Sequence, residues 1–258
     1  FMIEIQNLTK IYRLSKKQQK EQKTKDTQKK AVDDLSLSVY PGEIFGLLGT
    51  NGAGKTTTLR CLATLLKPTE GTITVDDLDV CRDSEKVRAK ISFLTNEIKM
   101  DPYFTPDYLF SFFGRLRGMK EDTINARKKE LFEYFGIMDF KDKKVEELST
   151  GMKQKVSIAV SLVHDPEIVI FDEPTNGLDI ITARAVLDYL RMLKEQGKTI
   201  IVSTHVMSEA QKLCERIAII IDGRLAALGT LAELEAMTKT GDLEDAFFEL
   251  YKQHGKEA

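Results

Sequence analysis

Gly49-Thr50-Asn51-Gly52-Ala53-Gly54-Lys55-Thr56 fits the pattern G-x-x-x-x-G-K-[ST] at every fixed position. The pattern describes a loop whose glycines let backbone N–H groups converge on phosphate oxygens, with a helix N-terminus adding positive potential. Its neighbours have the required character. The apolar run Ile44-Phe45-Gly46-Leu47-Leu48 precedes it as a buried strand, and Thr57 to Leu66 follows as a helical segment. In this setting Lys55 is placed to neutralise the outer phosphates of a nucleotide and Thr56 to offer its hydroxyl to Mg2+; Thr57 is counted with the phosphate contacts. A glycine-rich turn with a surface lysine is the alternative, and the strand before and helix after speak against it.

Working outward, Ile168-Val169-Ile170-Phe171, Thr199-Ile200-Ile201-Val202-Ser203 and Ile217 to Ile221 are further short apolar runs bounded by charges or turn residues. Runs of this kind are central strands covered on both faces. Met2 to Ile5 and Leu35 to Val39 alternate and fit edge strands. Helical patterns at Ala183 to Gln196 and Ser208 to Arg216 lie between the apolar runs, so the expected class is α/β with a mostly parallel sheet, antiparallel edge strands and an inserted helical part. The chain has 258 residues, 42% hydrophobic and 30% charged, which suits a globular protein with a sizeable core. A net charge of -2 provides no global basic field, and no nucleic-acid partner is expected. The longest uncharged stretch, Ile44 to Gly54, is eleven residues, short of the roughly 20 a spanning helix needs. Cys61, Cys81 and Cys214 are widely spaced, which fits free thiols in a reducing compartment.

Three segments stand apart. Asp101 to Leu148 carries Tyr103, Phe104, Tyr108, Phe110, Phe112 and Phe113 and then a charged helical pattern. It is expected to be a helical insertion with the aromatic cluster as its core, a partner surface being the lesser reading. Ser15 to Lys30 is lysine-rich and almost without apolar residues, and is expected to be a mobile loop. Leu231 to Gln253 has apolar residues at helical spacing and is expected to be a helical tail.

Two further motifs carry chemistry. The strand Ile168 to Phe171 ends in Asp172-Glu173, two acids that are either a solvated strand end or a metal-shell carboxylate and a general base. Leu148-Ser149-Thr150-Gly151 precedes an apolar helical segment. Ser149 suits an N-cap, and the helix N-terminus behind Gly151 is a second anion-seeking surface, although a simple cap explains the serine equally well.

The ordered set of phosphate loop, Leu148-Ser149-Thr150-Gly151, Asp172-Glu173-Pro174-Thr175, Gly177-Leu178-Asp179 and Ser203-Thr204-His205 resembles the ATP-binding cassette (ABC) ATPases over nearly the whole chain. Asp222-Gly223-Arg224 and Leu228-Gly229-Thr230 are similar to the corresponding stretch in ATP-binding subunits of ABC-2-type exporters. The resemblance implies one nucleotide-binding domain over residues 1–258. Within it, residues 1–96 and 156–230 would form a P-loop core with a β subdomain, about 97–155 a helical subdomain and 231–258 a tail, with 13–30 as the basic loop. It implies ATP and Mg2+ as ligands, hydrolysis of ATP, and a head-to-tail homodimer. Each ATP would then be clamped between the loop Gly49 to Thr57 of one chain and Ser149-Thr150-Gly151 of the other.

Single residues acquire roles by the same route. Asp172 and Thr56 would hold the metal, Glu173 would act as general base, Asp179 would cross the dimer seam, and His205 would contact the γ-phosphate and attacking water. Tyr12 matches the aromatic residue that stacks on adenine; it lies 43 residues before Lys55, and 25 once Arg13 to Lys30 is set aside. Asn96 stands where the family usually has Gln. It is counted with Thr56 and Asp172 at the metal; its side chain is one methylene shorter, which leaves direct contact and contact through a bridging water both open. Thr150 and Met152 occupy positions where Gly and Gln are commoner. The implied partner is an ABC-2-type transmembrane permease, with the chain peripheral at the cytoplasmic face of the cell membrane. A soluble, non-transport ABC ATPase is the second reading. A P-loop kinase or GTPase is the third, and leaves Ser149-Thr150-Gly151 and His205 without a task. No residue is assigned to the cargo: sodium, a drug, a peptide and a glycan are all compatible.

Overall fold

Along strand β3 (Ile44–Leu48) Phe45 and Leu47 pack into one apolar cluster while Ile44 and Leu48 belong to others, so this strand is buried on both faces. The computed structural model describes residues 2–21, 25–95 and 100–254. Before β3 come β1 (Ile3–Arg13), α1 (Lys16–Glu21) and β2 (Gln28–Val39). After it come α2 (Lys55–Leu62), β4 (Glu70–Val75), β5 (Leu78–Asp79), α3 (Ser84–Lys90) and β6 (Ile91–Thr95). Helices α4 (Pro106–Leu116), α5 (Glu121–Phe135) and α6 (Thr150–Ser161) follow. The remainder is β7 (Ile168–Asp172), α7 (Ile180–Glu195), β8 (Thr199–Thr204), α8 (Met207–Leu213), β9 (Arg216–Ile221), β10 (Arg224–Gly229), α9 (Leu231–Thr238) and α10 (Leu243–His254).

Six strands form the central sheet in the order β10-β9-β3-β8-β7-β6, with only the β10–β9 pair antiparallel. The same two-residue period recurs next to β3. In β7, Ile168 and Ile170 face the cluster that holds α2, while Val169 and Phe171 face the helical side; in β8, Ile201 and the pair Ile200 and Val202 divide likewise. A second, antiparallel sheet, β2-β1-β4-β5, closes over α2 through Ile3, Ile5, Leu35, Leu37, Ile73 and Val75. Its strand β4, together with β6 and β10, does not stand out in the sequence, because none is a long apolar run.

The helical side is built by α4, α5 and α6. Thr105 caps α4 by accepting the Tyr108 N–H, Pro106 occupies its first turn, and Gly136 ends α5 in a left-handed conformation. The aromatic cluster corrects the expectation of a core. Phe110 is fully buried against Phe132, but Tyr103, Phe104, Tyr108, Phe112 and Phe113 are 37–69% exposed. Helix α4 turns only one stripe toward α5. Phe104, Tyr108 and Phe112 run in ring-to-ring contact along the other side, where they help line a groove of about 510 Å³ with Met100, Phe113 and Arg117.

The segment expected to be a mobile loop, Ser15 to Lys30, also differs at its described residues, 22–24 lying outside them. β1 continues to Arg13 and pairs with the start of β2, Tyr12 standing opposite Lys29 and Arg13 opposite Gln28, and α1 lies in the connection. Backbone pairing satisfies a stretch whose side chains have nothing apolar to bury.

His164 gives this architecture a pH dependence. Its Nε2–H donates to the Ile91 carbonyl at 3.0 Å, and its Nδ1 is buried without a partner among the described residues. Burial, aided by the charge of Arg117, lowers its pKa to about 4. An unfolded histidine titrates near 6.5. Between these values the unfolded state binds more protons, so stability is present above about 6.5 and declines as pH falls through the window. Urea midpoints measured from pH 7 to pH 5 should therefore fall, and fall less in His164→Gln, which keeps an N–H donor. Equal declines in both proteins contradict this.

Candidate nucleotide site

The parallel order β3-β8-β7 brings three strand ends to one edge. Leu48 of β3 stands beside Thr204 of β8, and Ser203 of β8 beside Asp172 of β7. The loops leaving these ends carry Gly49–Gly54, His205 and Glu173, so the topology itself assembles the groups, as is usual at the carboxyl ends of open α/β sheets.

The phosphate loop has little choice of residue. Gly54 has φ +105°, and a Cβ there would lie 2.5 Å from the Ala31 carbonyl oxygen; on Gly49 it would lie 2.4 Å from that of Ile220. Gly54 is also the N-cap of α2 and offers no side chain, which leaves the first-turn N–H groups of Lys55, Thr56 and Thr57 without a side-chain cap. Lys55 is 4% exposed. Its ammonium donates to the carbonyls of Gly49 at 2.7 Å and Thr50 at 3.0 Å, so it is folded back into its own loop. Burial pushes its pKa below the ordinary lysine value, opposed by the Glu173 and Asp172 carboxylates. A buried cation above an uncapped helix N-terminus, in a cradle that side chains would fill, fits a polyphosphate. Mg2+ fits as well. Among the described residues no group of three or more His, Cys, Asp or Glu could hold a metal by itself. Thr56 and Asp172 therefore suit an ion that takes most of its ligands from phosphate and water.

Ser203 organises the carboxylates. Its hydroxyl donates to Asp172 Oδ1 in a very short contact and accepts the Glu173 N–H at 3.2 Å. Glu173 has φ 55°, a left-handed conformation for a residue with a full side chain. That turn swings it off the line of β7. There its Oε1 accepts from His205 Nδ1 at 3.0 Å and its Oε2 from Asn176 Nδ2 at 3.0 Å. Glu209 of α8 ties the two loops together. It accepts the Thr175 hydroxyl at 2.6 Å on one oxygen and the Thr204 hydroxyl at 3.3 Å on the other.

A cavity of about 390 Å³ opens beside these groups, lined by Tyr12, Gly52, Gly54, Lys55, Thr56, Thr57 and Glu173, and also by Arg13, Lys29 and Arg60. The Tyr12 hydroxyl is 3.4 Å from Thr57 Oγ1, and Lys10 Nζ lies 5.6 Å from the centre of the Tyr12 ring. Asn51 lines the same space and, with Thr50, Gly52 and Ala53, a neighbouring cavity.

Ser149, Thr150, Gly151 and Asp179 do not line that cavity; they sit together elsewhere on the surface. Ser149 caps α6 by accepting the Met152 N–H at 3.3 Å, and Asp179 caps α7 by accepting the Ile181 and Thr182 N–H groups at 3.0 Å. The Thr182 hydroxyl, with these N–H groups, holds the Asp179 carboxyl below its usual range. A Cβ on Gly151 would stand 3.6 Å from Asp179 Oδ2, so the two helix N-termini are neighbours. Asn96 lies outside the described residues. Ser203 stands in the Ser203-Thr204-His205 motif without a role of its own there, and Glu209 belongs to no motif; the only signal for either is proximity to His205.

Known proteins resemble the chain over most of its length. Residues 32–176 match the family model described as "ABC transporter". The chain is 41% identical over 219 residues, 84% of its length, to the ABC transporter ATP-binding protein NatA of Bacillus subtilis (strain 168), of which it covers 89%. It is 40% identical over 220 residues, 85% of its length, to the Nod factor export ATP-binding protein I of Paraburkholderia xenovorans (strain LB400), of which it covers 72%. It superposes with a TM-score of 0.78 and 28% identity on the dimeric, post-hydrolysis ATP-binding cassette MJ0796 bound to ADP and Pi, over 89% of this chain and 99% of that one.

Release of the Glu209 tether should show in hydrolysis more than in binding. Glu209→Ala is expected to lower the ATPase rate by about tenfold, or ~1.4 kcal/mol in barrier, with nucleotide Kd nearly unchanged. An unaltered rate in a folded variant contradicts the tether.

Proposed function

This chain belongs to the ABC transporter family, and on that premise we propose that it is the ATP-hydrolysing subunit of an ABC-2-type membrane exporter. It is an ABC-type ATPase using ATP and Mg2+. The observation that carries the proposed division of labour is the contact of Glu173 with His205 beside the Lys55 loop. In this reading the first-turn N–H groups of α2 and Lys55 hold the phosphates, and Lys55 exchanges its carbonyl partners for phosphate oxygens. Tyr12 supplies a stacking face for the base. Mg2+ when bound supplies charge neutralisation on the phosphate oxygens, with Thr56 and Asp172 as its protein ligands. Glu173 orients the attacking water and accepts its proton, and His205 holds the Glu173 carboxylate and faces the γ-phosphate.

In the closed pair a role remains for donors that face the phosphates from outside, and none of Ser149, Thr150, Gly151 or Asp179 of the same chain lines the cavity. The reading assigns that role to Ser149, Thr150 and Gly151 of a second copy, presented at an exposed helix N-terminus, with Asp179 beside them at the seam. Closure is favoured only by as much as ATP binds the closed pair more tightly than the open one.

Among the described residues no helix is long and apolar enough to cross a membrane, and the transport path is assigned to a permease partner. The exposed aromatic groove on α4 is proposed as its docking surface on the cytoplasmic side, since a patch of this size and character is what partner elements cover. Export is named for the Paraburkholderia relative; sodium or drug efflux is within the same proposal.

Glu173→Gln should reduce hydrolysis by about 10²–10⁴-fold while ATP still binds and still drives dimers visible by size-exclusion chromatography. From detergent-solubilised native membranes this variant should bring down a polytopic membrane protein when ATP is present. Undiminished hydrolysis refutes the role of Glu173, and recovery of a soluble scaffold instead of a membrane protein moves the assignment to a non-transport ATPase.

A further inference from the structure

The lysine-rich stretch between Tyr12 and Ala31 is the one marked feature of the sequence that the ATPase reading leaves unused. The fold places its two ends, Arg13-Leu14 and Gln28 to Lys30, next to the phosphate loop. β1 and β2 pair from Ile11 opposite Lys30 to Arg13 opposite Gln28, and the Leu14 N–H donates to the Thr27 carbonyl at 2.9 Å, which makes a two-stranded arm. Directly opposed residues of an antiparallel pair share a face. Tyr12 and Lys29 are such a pair, and both line the cavity above Lys55, Thr56 and Thr57, together with Leu14, Ala31 and Arg13. Lys29 and Leu14 also line the cavity of about 540 Å³ along Thr50, Asn51 and Gly52. The arm therefore borders both of the cavities that Asn51 lines.

Charge decides what such a wall can bind. The first cavity is lined by the cations Arg13, Lys29, Lys55 and Arg60 against one carboxylate, Glu173. Lys55 is engaged by its own loop, and Lys30 by Asp33 at 2.8 Å. Among the described residues, the Lys29 ammonium and Arg13 guanidinium have no hydrogen-bond or ion-pair partner. A partly enclosed cleft lined by one sign of charge focuses its field on an incoming polyanion.

We propose that the basic arm is part of the nucleotide site, with Lys29 and Arg13 contacting the polyphosphate of bound nucleotide. The inference rests on the ATPase reading and adds to it a second set of phosphate contacts, contributed by a segment outside the phosphate loop. The arm then favours triphosphate over monophosphate, and its contribution weakens with salt because its cations are exposed.

Equilibrium titrations of the full chain with ATP, ADP and AMP, at low and at physiological ionic strength, test this. Lys29→Ala should raise the ATP Kd by about fivefold at low salt, the effect of losing one exposed charge contact. Lys29→Glu should raise it further, Lys29→Arg should stay within about twofold of the unaltered chain, and Arg13→Ala should add to Lys29→Ala. AMP should be affected least, and the losses should shrink as salt rises. Lys30→Ala, next in sequence but held by Asp33, should leave the ATP Kd within about twofold. Normal circular dichroism spectra establish that the variants are folded. The proposal is overturned if Lys29→Ala binds ATP as tightly as the unaltered chain, or if Lys30→Ala loses as much as Lys29→Ala, which would make the effect one of general charge. Lys55→Ala separates the two levels of the argument. If it abolishes binding while Lys29→Ala does not change it, the arm proposal fails and the ATPase reading stands; if the unaltered chain binds no ATP, both fail.

Discussion

Two parallel pairings, Leu48 beside Thr204 and Ser203 beside Asp172, set the position of every group in the site. They are fixed because β3, β8 and β7 are buried on both faces, and a slip of one residue would turn each apolar set to the wrong cluster. With the register locked, the phosphate loop, His205 and the acid pair leave adjacent strand ends. Ser203 then ties the Asp172 carboxylate and the Glu173 backbone N–H to β8 through its hydroxyl, and Glu209 joins the two loops beyond them. Hydrogen bonds to charged groups are worth about 1.5–3 kcal/mol each, enough to hold Glu173 in a left-handed conformation that costs about 1–3 kcal/mol. The left-handed turn thus falls on the residue whose side chain must leave the strand.

What was legible in the sequence was local. The phosphate loop is contiguous, its backbone demands are met by Gly49 and Gly54 at fixed spacing, and the flanking strand and helix can be seen at the same glance. Asp172-Glu173 became readable once a phosphate loop was present in the same chain. The basic arm did not, because its order comes from pairing with β1, while composition alone describes a segment with nothing to bury. The aromatic residues of α4 were misassigned for a related reason. Periodicity says that a helix has an apolar stripe, yet α4 has apolar residues on two sides, and only the positions of α5 and α6 decide which is covered. Ser203 and Glu209 act through contacts with residues up to 34 positions away, which leave no local pattern.

The two anion-seeking surfaces of the chain differ in setting as well as in place. Lys55 and the start of α2 lie in a cavity with cationic walls, whereas the starts of α6 and α7 lie side by side, exposed and already capped by Ser149 and Asp179. A capped helix N-terminus still carries its partial positive charge, so the second surface suits a shared ligand better than a private one. This is the physical content of a composite site. In the proposed arrangement one chain would bind nucleotide, and two chains would be needed to surround it. The exposed Ile180 and Ile181, which follow Asp179, add apolar area to the same surface.

The order of the hydrolysis reaction in protein tests that account most directly. ATPase activity per chain, measured at saturating MgATP over a hundredfold range of chain concentration, should rise with concentration and level off only when pairs are fully formed. A specific activity that stays constant down to the most dilute sample, where size-exclusion shows only single chains, would contradict the composite site and return the whole of catalysis to one chain.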